Sequence, residues 1–250
     1  MSSPLEELFR RALSQTERRL LVEYGSVFVT RATAPPFVIF PNEETVQRFQ
    51  ASLAISRRPI GDYEFELQSD AMESLVRTVR GAERLGFSIT GRSGDSGRRS
   101  YADTAKLWER NVDKGLHHWV GLGRMSPDEA ANVLGLSLSD QVGAILKLED
   151  ERQLYFSTYF DKSILQSVAA PGASQHLSML AFDVAEYENP AVARVLALHG
   201  WHRTVVSDLP HFTYLGYSAD DLPALGLRRV ENEYAGSAYS FWIPDFTSKV

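Results

Sequence analysis

The chain has 250 residues, 44% of them hydrophobic and 23% charged, proportions of an ordinary globular protein that exclude a largely disordered chain. Its 26 basic and 32 acidic side chains give a formal charge of -6, so no broad positive field exists to hold phosphates or an anionic membrane surface, and no nucleic acid partner is expected. Cysteine is absent, which removes thiolate metal sites, disulfides and cysteine nucleophiles together, so any metal must be held by His and carboxylate ligands.

A chain of this length lies near the upper end of a single domain and can bury a substantial core. Neither an internal repeat nor a low-complexity tract is present. The segment from Met1 to Arg11 lacks the basic start and continuous apolar run of a secretory signal, and no stretch approaches the roughly eighteen apolar residues of a membrane span.

In chain order, Leu5, Leu8, Phe9 and Leu13 have helical spacing within one helix from Pro4 to about Val22. Val27 to Val29 and Phe37 to Phe40 read as short strands around Ala34-Pro35-Pro36. Asn42 is placed to cap a helix that follows it. Ala71, Leu75, Val76, Val79 and Ala82 mark a core helix from Ser69 to Leu85, ended by Gly86. Phe87 to Gly91 alternates as a strand, and the loop from Arg92 to Gly97 carries two glycines that suggest flexibility near Arg99. That loop lacks the Gly-Lys-Ser or Gly-Lys-Thr signature of a phosphate cradle.

Tyr101 to Val112 reads as a helix. The His117-His118-Trp119 run after it reads as aromatic packing or a cleft edge, because adjacent histidines point in different directions. Ser126, Pro127 and Glu129 supply the cap, first-turn proline and capping-box acid of a helix that continues through Leu134 to Gly135. Leu180, Phe182 and Val184 alternate, which puts Asp183 on a strand with its side chain on the opposite face. Pro190 to His199 is a short apolar helix stopped by Gly200, with Trp201 beneath the site. The tail offers a short helix through Leu225 and two strands, Leu227 to Glu231 and Ala238 to Ile243, that extend the sheet. Tyr239, Phe241 and Trp242 there read as core.

Two blocks carry the chemistry: Ser174-Gln175-His176 through Ala181-Phe182-Asp183, and Asp208-Leu209-Pro210-His211-Phe212. A catalytic zinc needs three protein ligands, a position left open for water, and a nearby base. His176, Asp183 and His211 can be the ligands and Asp208 the base, with His199 and His202 as second-choice ligands.

The patterns Ser-x-His-x-x-x-x-Ala-x-Asp and Asp-x-Pro-His-Phe resemble the two halves of the metal site in the VanY-like family of D-alanyl-D-alanine carboxypeptidases and related peptidoglycan endopeptidases. A third block, Gly97 to Thr104, is similar to the family's Ser-Gly-Tyr-Arg-Ser-Tyr-x-x-Gln stretch. By that match Arg99 is the arginine of the substrate cleft, facing a peptide carbonyl or terminal carboxylate, and Arg92 is its reserve. The resemblance covers about residues 64 to 216. It departs from the family at Met179, where glycine is usual, at Thr104, where glutamine is usual, and at Leu209-Pro210, where carboxypeptidases often have Pro-Trp. Met179 bears on the backbone beside His176, because glycine permits turn geometries that a side chain discourages.

The resemblance implies an α+β fold of the D-alanyl-D-alanine carboxypeptidase and hedgehog kind, a small antiparallel sheet flanked by helices with a zinc site in a cleft on the sheet. It implies Zn2+ on His176, Asp183 and His211, Asp208 as general base, Arg99 stabilising an oxyanion or holding a substrate carboxylate, and Ser174 and Arg92 on substrate. Residues 64–216 are then the peptidase domain with an insertion at about 125–166 that borders the cleft and restricts access to small peptides. Residues 1–63 are an N-terminal elaboration and 217–250 a C-terminal extension packed on the same domain. The implied activity is hydrolysis of peptide bonds in peptidoglycan stem peptides, with D-alanyl-D-alanine carboxypeptidase as the first reading. Cleavage of L-alanyl-D-glutamate bonds is the alternative, because Asp-x-Pro-His-Phe resembles those enzymes while cleavers of D-alanyl-D-alanine commonly carry Glu-x-x-His. A peptidoglycan-binding module without hydrolysis is the third reading. Stem peptides or muropeptides are the implied partners, which places the protein in the periplasm or outside the cell, reached by lysis, another export route or a leader absent from this sequence; a cytoplasmic location stays open.

Overall fold

A computed structural model of the chain describes residues 4–11 and 14–246. Its helices are α1 (Pro4–Arg10), α2 (Gln15–Tyr24), α3 (Glu43–Ala51), α4 (Ser69–Arg84), α5 (Tyr101–Gly121), α6 (Pro127–Leu134), α7 (Leu138–Arg152) and α8 (Pro190–Leu198). Its strands are β1 (Ile55–Ile60), β2 (Tyr63–Gln68), β3 (Ala181–Asp183), β4 (Trp201–His202), β5 (His211–Tyr214), β6 (Leu227–Tyr234) and β7 (Ser237–Pro244). The fold is mixed α+β with small antiparallel sheets and helices. It comprises two compact units, one of residues 1–38, 47–99 and 175–250, the other of 39–46 and 100–174.

In the first unit, β1 and β2 form an antiparallel hairpin from the pair Ile55 and Gln68 to the pair Ile60 and Tyr63. A three-stranded sheet has the order β3-β5-β4. In its register Phe182 pairs with Phe212 and Asp183 with His211, while Trp201 pairs with Tyr214. Directly paired residues project on the same face and neighbours along a strand on opposite faces. Phe182, Phe212, Tyr214 and Trp201 therefore enter one core, together with Ala71, Met72 and Leu75 of α4 and Phe65 and Leu67 of β2. Asp183 and His211 are left side by side on the other face.

Several local expectations are revised. The N-terminal helix is two: Ser14 caps α2 through a reciprocal pair, its hydroxyl accepting from Glu17 N and the Glu17 carboxylate accepting from Ser14 N, so a new helix starts there. Leu13 lies outside the described residues. Val27 to Val29 belong to a 3-10 turn, Gly25–Val29, that follows α2 directly and buries Val27 and Val29. Phe37 to Phe40 make no strand, and Phe40 N donates instead to Gly172 O at 2.9 Å. Phe87 to Gly91 contribute a single bridge, from Gly91 to Val184. β6 and β7 form their own two-stranded sheet instead of extending the central one.

In the second unit Ser100 and Asp103 form the capping box of α5, which runs past the expected Val112 to Gly121. His117 and His118 therefore sit on a helix, His118 stacked on Phe160 at 4.1 Å between ring centroids and His117 Nδ1 2.8 Å from Asp113 O. Trp108, buried, donates through Nε1 to Gln141 Oε1 of α7 at 2.9 Å. Ser126 caps α6 as its sequence indicates. No helix among the described residues is long and apolar enough to cross a membrane.

Candidate metal centre

Asp183 ends β3 and His211 begins β5, so the sheet register alone makes them neighbours. His176 comes from the 3-10 turn Gln175–Ser178 that leads into β3. One ligand atom from each of the three lies within 4.8 Å of the other two. His176 Nε2 is 3.3 Å and His211 Nδ1 3.2 Å from the same oxygen, Asp183 Oδ1. As whole residues, His176, His211 and Asp183 are 2%, 4% and 9% exposed.

The outer edges of both rings are already committed. His176 Nδ1 lies 2.7 Å from Gly97 O, and His211 Nε2 lies 2.9 Å from Gln175 Oε1. A carbonyl oxygen only accepts, so in each neutral ring the outer nitrogen carries the proton and the inner nitrogen presents a lone pair. Three acceptors then converge with no donor between them, and His176 Nε2 has no hydrogen-bond partner. Such convergence is costly in a buried site unless a cation joins it. Two imidazoles and a carboxylate, their outer sides fixed by carbonyl groups, are a fit donor set for zinc.

Burial pushes the His176 imidazole below the ordinary histidine range against the pull of Asp183, which favours the neutral ring. Burial pushes the Asp183 carboxyl up, but the charge and hydrogen bonds that His176 and His211 offer when protonated outweigh it and hold the group well below the usual carboxylate range. Both directions suit metal ligands, which must be deprotonated.

Arg99 is brought to the cluster. Its Nη2 donates to Asp183 Oδ2 at 2.7 Å and its Nε to Asp95 O at 3.1 Å, while Nη1 has no protein partner among the described residues. The loop expected to be flexible is fastened to the site. Asp183 N donates to Ser96 O at 3.0 Å, Arg92 N donates to Asp183 O at 3.0 Å, and Ser93 N donates to Ser96 Oγ at 2.9 Å. Gly91 admits this approach, since a Cβ there would lie 2.3 Å from the Phe65 ring. Gln50 ties the loop to the histidine turn, its Nε2 donating to Arg99 O at 3.1 Å and Leu177 O at 3.0 Å.

Met179 takes φ of 58°, the left-handed conformation that glycine adopts without penalty, so the backbone keeps a glycine-like turn beside His176 while the methionine side chain is fully buried. Gln175 was not singled out by the sequence. Its Nε2 donates to Tyr24 O at 2.9 Å, and its Oε1 accepts from His211 Nε2 and from the hydroxyls of Thr204 and Thr213. No local signal marks it, because those partners come from distant parts of the chain.

Asp208 stands on the turn before β5, half-buried, its N–H on Val205 O at 3.1 Å and its carbonyl accepting from His211 N at 3.3 Å. Its carboxylate is not a member of the three-residue group. Arg92 is exposed, with its guanidinium 5.9 Å from the Tyr187 ring centroid. Ser174, buried, is the last residue of the second unit. His199 and His202 stand outside the group, His202 Nε2 lying 2.9 Å from Tyr217 O.

Fold and site together define an α+β protein whose small antiparallel sheet carries a His-Asp-His group able to hold a metal ion. No family model matches the chain, and no curated protein matches it. Among solved structures it is similar to a Zn(II) complex of a mutant of the vancomycin-resistance D,D-pentapeptidase VanY from a VanB-type resistance cassette, with 16% identity, 66% of this chain and 82% of that chain covered, and a TM-score of 0.36.

Proposed function

We propose that this protein is a zinc-dependent peptidase acting on peptidoglycan stem peptides, with D-alanyl-D-alanine carboxypeptidase as the first reading. The observation that carries the proposal is the buried convergence of His176 Nε2, His211 Nδ1 and Asp183 Oδ1, with the outer atoms of all three residues held by Gly97, Gln175 and Arg99. The order and spacing of the three sequence blocks agree with it. His176, Asp183 and His211 would hold zinc, which would supply Lewis acidity toward a substrate carbonyl and an attacking water.

The protein's own groups do the rest. Asp208, three residues before His211, takes the proton of the attacking water and returns it to the leaving amine. Arg99 holds Asp183 in place with Nη2, and its uncommitted Nη1 meets the developing oxyanion or a substrate carboxylate. Ser174 and exposed Arg92 contact the peptide. Residues 64–216 form the peptidase domain, with 1–63 and 217–250 as additions to it, and the site of action is the cell wall. Cleavage between L-alanine and D-glutamate is the second reading, favoured by the Asp208 to Phe212 pattern.

The test is to incubate zinc-supplemented protein with the pentapeptide L-Ala-γ-D-Glu-L-Lys-D-Ala-D-Ala and identify products by mass spectrometry. Release of a single D-alanine supports the first reading, and release of L-alanine the second. An intact peptide that nevertheless binds saturably assigns a binding module, and the absence of both cleavage and binding would overturn the proposal.

A further inference from the structure

A cavity of about 510 Å³ opens in the first unit beside α8, the edge strand β4 and the β6–β7 hairpin. None of His176, Asp183, His211 and Arg99 lines it. Its walls are aromatic, from Trp201, Phe212, Tyr239 and Trp242, and three arginines lie among them, Arg194, Arg203 and Arg229, the last already paired with Glu231 at 3.2 Å, while Glu188 is the one carboxylate of the lining.

Arg203 is the unusual member. It is 7% exposed, and no carboxylate pairs with it among the described residues. Its Nε donates to Leu209 O at 2.9 Å and its Nη2 to Tyr187 O at 2.5 Å, and its guanidinium lies 4.6 Å from the Phe212 ring centroid and 5.2 Å from that of Tyr239. Nη1 has no protein partner among the described residues. Burial lowers the pKa of Arg203 to about 10, which leaves it charged at neutral pH. A buried charge without a counter-ion is costly, which favours an anion beside it.

The complement of this cavity is a negative group for the Arg203 guanidinium, which no carboxylate pairs, joined to a flat body for the aromatic walls. We propose that the cavity is a second ligand site, separate from the metal centre, that takes a small organic anion composed of a carboxylate on a planar apolar group. Arg203 binds the carboxylate, Tyr239 and Trp242 flank the ring, and exposed Arg194 and Arg229 draw the anion in from solvent.

The experiment is calorimetric titration of the full chain with benzoate and with indoleacetate. Benzamide serves as the neutral analogue of benzoate, and acetate as the charge without the ring. The His176→Ala variant serves as a control for carboxylates that bind at the metal centre. At least one of the two ring carboxylates should bind saturably, with benzoate or indoleacetate at least about tenfold tighter than benzamide and acetate, as expected for charged hydrogen bonds added to ring burial. Ala197→Phe, which fills the cavity from α8 without removing a charge, should abolish that binding. Arg194→Gln, an exposed change that folding tolerates, should weaken it several-fold, and His176→Ala should leave it unchanged. Absence of saturable binding by both ring carboxylates, equal binding of benzamide, binding that persists in Ala197→Phe, or binding lost in His176→Ala would each overturn the proposal. None of these outcomes bears on peptide hydrolysis.

Discussion

Each of the two compact units buries a carboxylate, and the partners differ. Glu149 of α7, 1% exposed, accepts from Ile164 N at 2.7 Å, Phe156 N at 3.2 Å and Ser163 Oγ at 2.7 Å, and so staples the irregular stretch after α7 to its helix. Asp183, 9% exposed, meets two imidazole nitrogens on one oxygen and a guanidinium on the other. Both groups are charges removed from water, so burial does not distinguish them. The distinction lies in the neighbours: amide and hydroxyl donors satisfy a carboxylate and leave no role for a cation, whereas converging imidazole lone pairs create one.

Substitutions that separate the two cases would break or sharpen this contrast. The largest expected effect is that of Asp208→Ala, which should retain zinc and reduce peptide turnover on the order of a hundred-fold or more, as for loss of a general base. A steady-state peptidase assay beside a metal determination checks it, and normal turnover would remove Asp208 from the mechanism. Gln175→Leu should weaken zinc binding about 10- to 100-fold, since it frees the His211 Nε2 edge that Gln175 Oε1 now fixes. Competition with a chromogenic chelator reads that change, and an unchanged affinity would mean that the tautomer of His211 is set some other way.

Glu149→Gln should act on stability instead. The substituted amide turns a donor toward amide N–H groups that need an acceptor, costing about 1–3 kcal/mol by urea unfolding, with zinc content unaltered. Loss of zinc in that variant would erase the contrast between the two carboxylates. The smallest effect is expected for exposed Arg92→Ala, within about 0.5 kcal/mol in stability, with any functional change confined to KM.

Much of the centre was legible because its signals are local. His176 and Asp183 are seven residues apart on one turn and strand, and the Leu180, Phe182, Val184 alternation already assigns Asp183 to the face away from the core. Caps announced α6, and apolar spacing announced α4 and α8. The hairpin β1–β2 was missed because Arg57, Arg58, Glu64 and Glu66 dominate its composition, while its buried apolar content reduces to Ile60, Phe65 and Leu67. The β-branched run at Val27 suggested a strand, yet the chain leaving α2 keeps turning and buries those valines from a 3-10 turn. Gln175 was illegible for a different reason. Its meaning is set by Tyr24, Thr204, Thr213 and His211, which only the folded chain brings together.

The most direct test of the central claim is zinc stoichiometry by elemental analysis on protein purified without a metal-binding tag, with His176→Ala and His211→Ala prepared in parallel. The site as described predicts about one zinc per chain, lost in both variants. No zinc in the unsubstituted protein, even after supplementation, would contradict the metal centre and with it the hydrolytic chemistry.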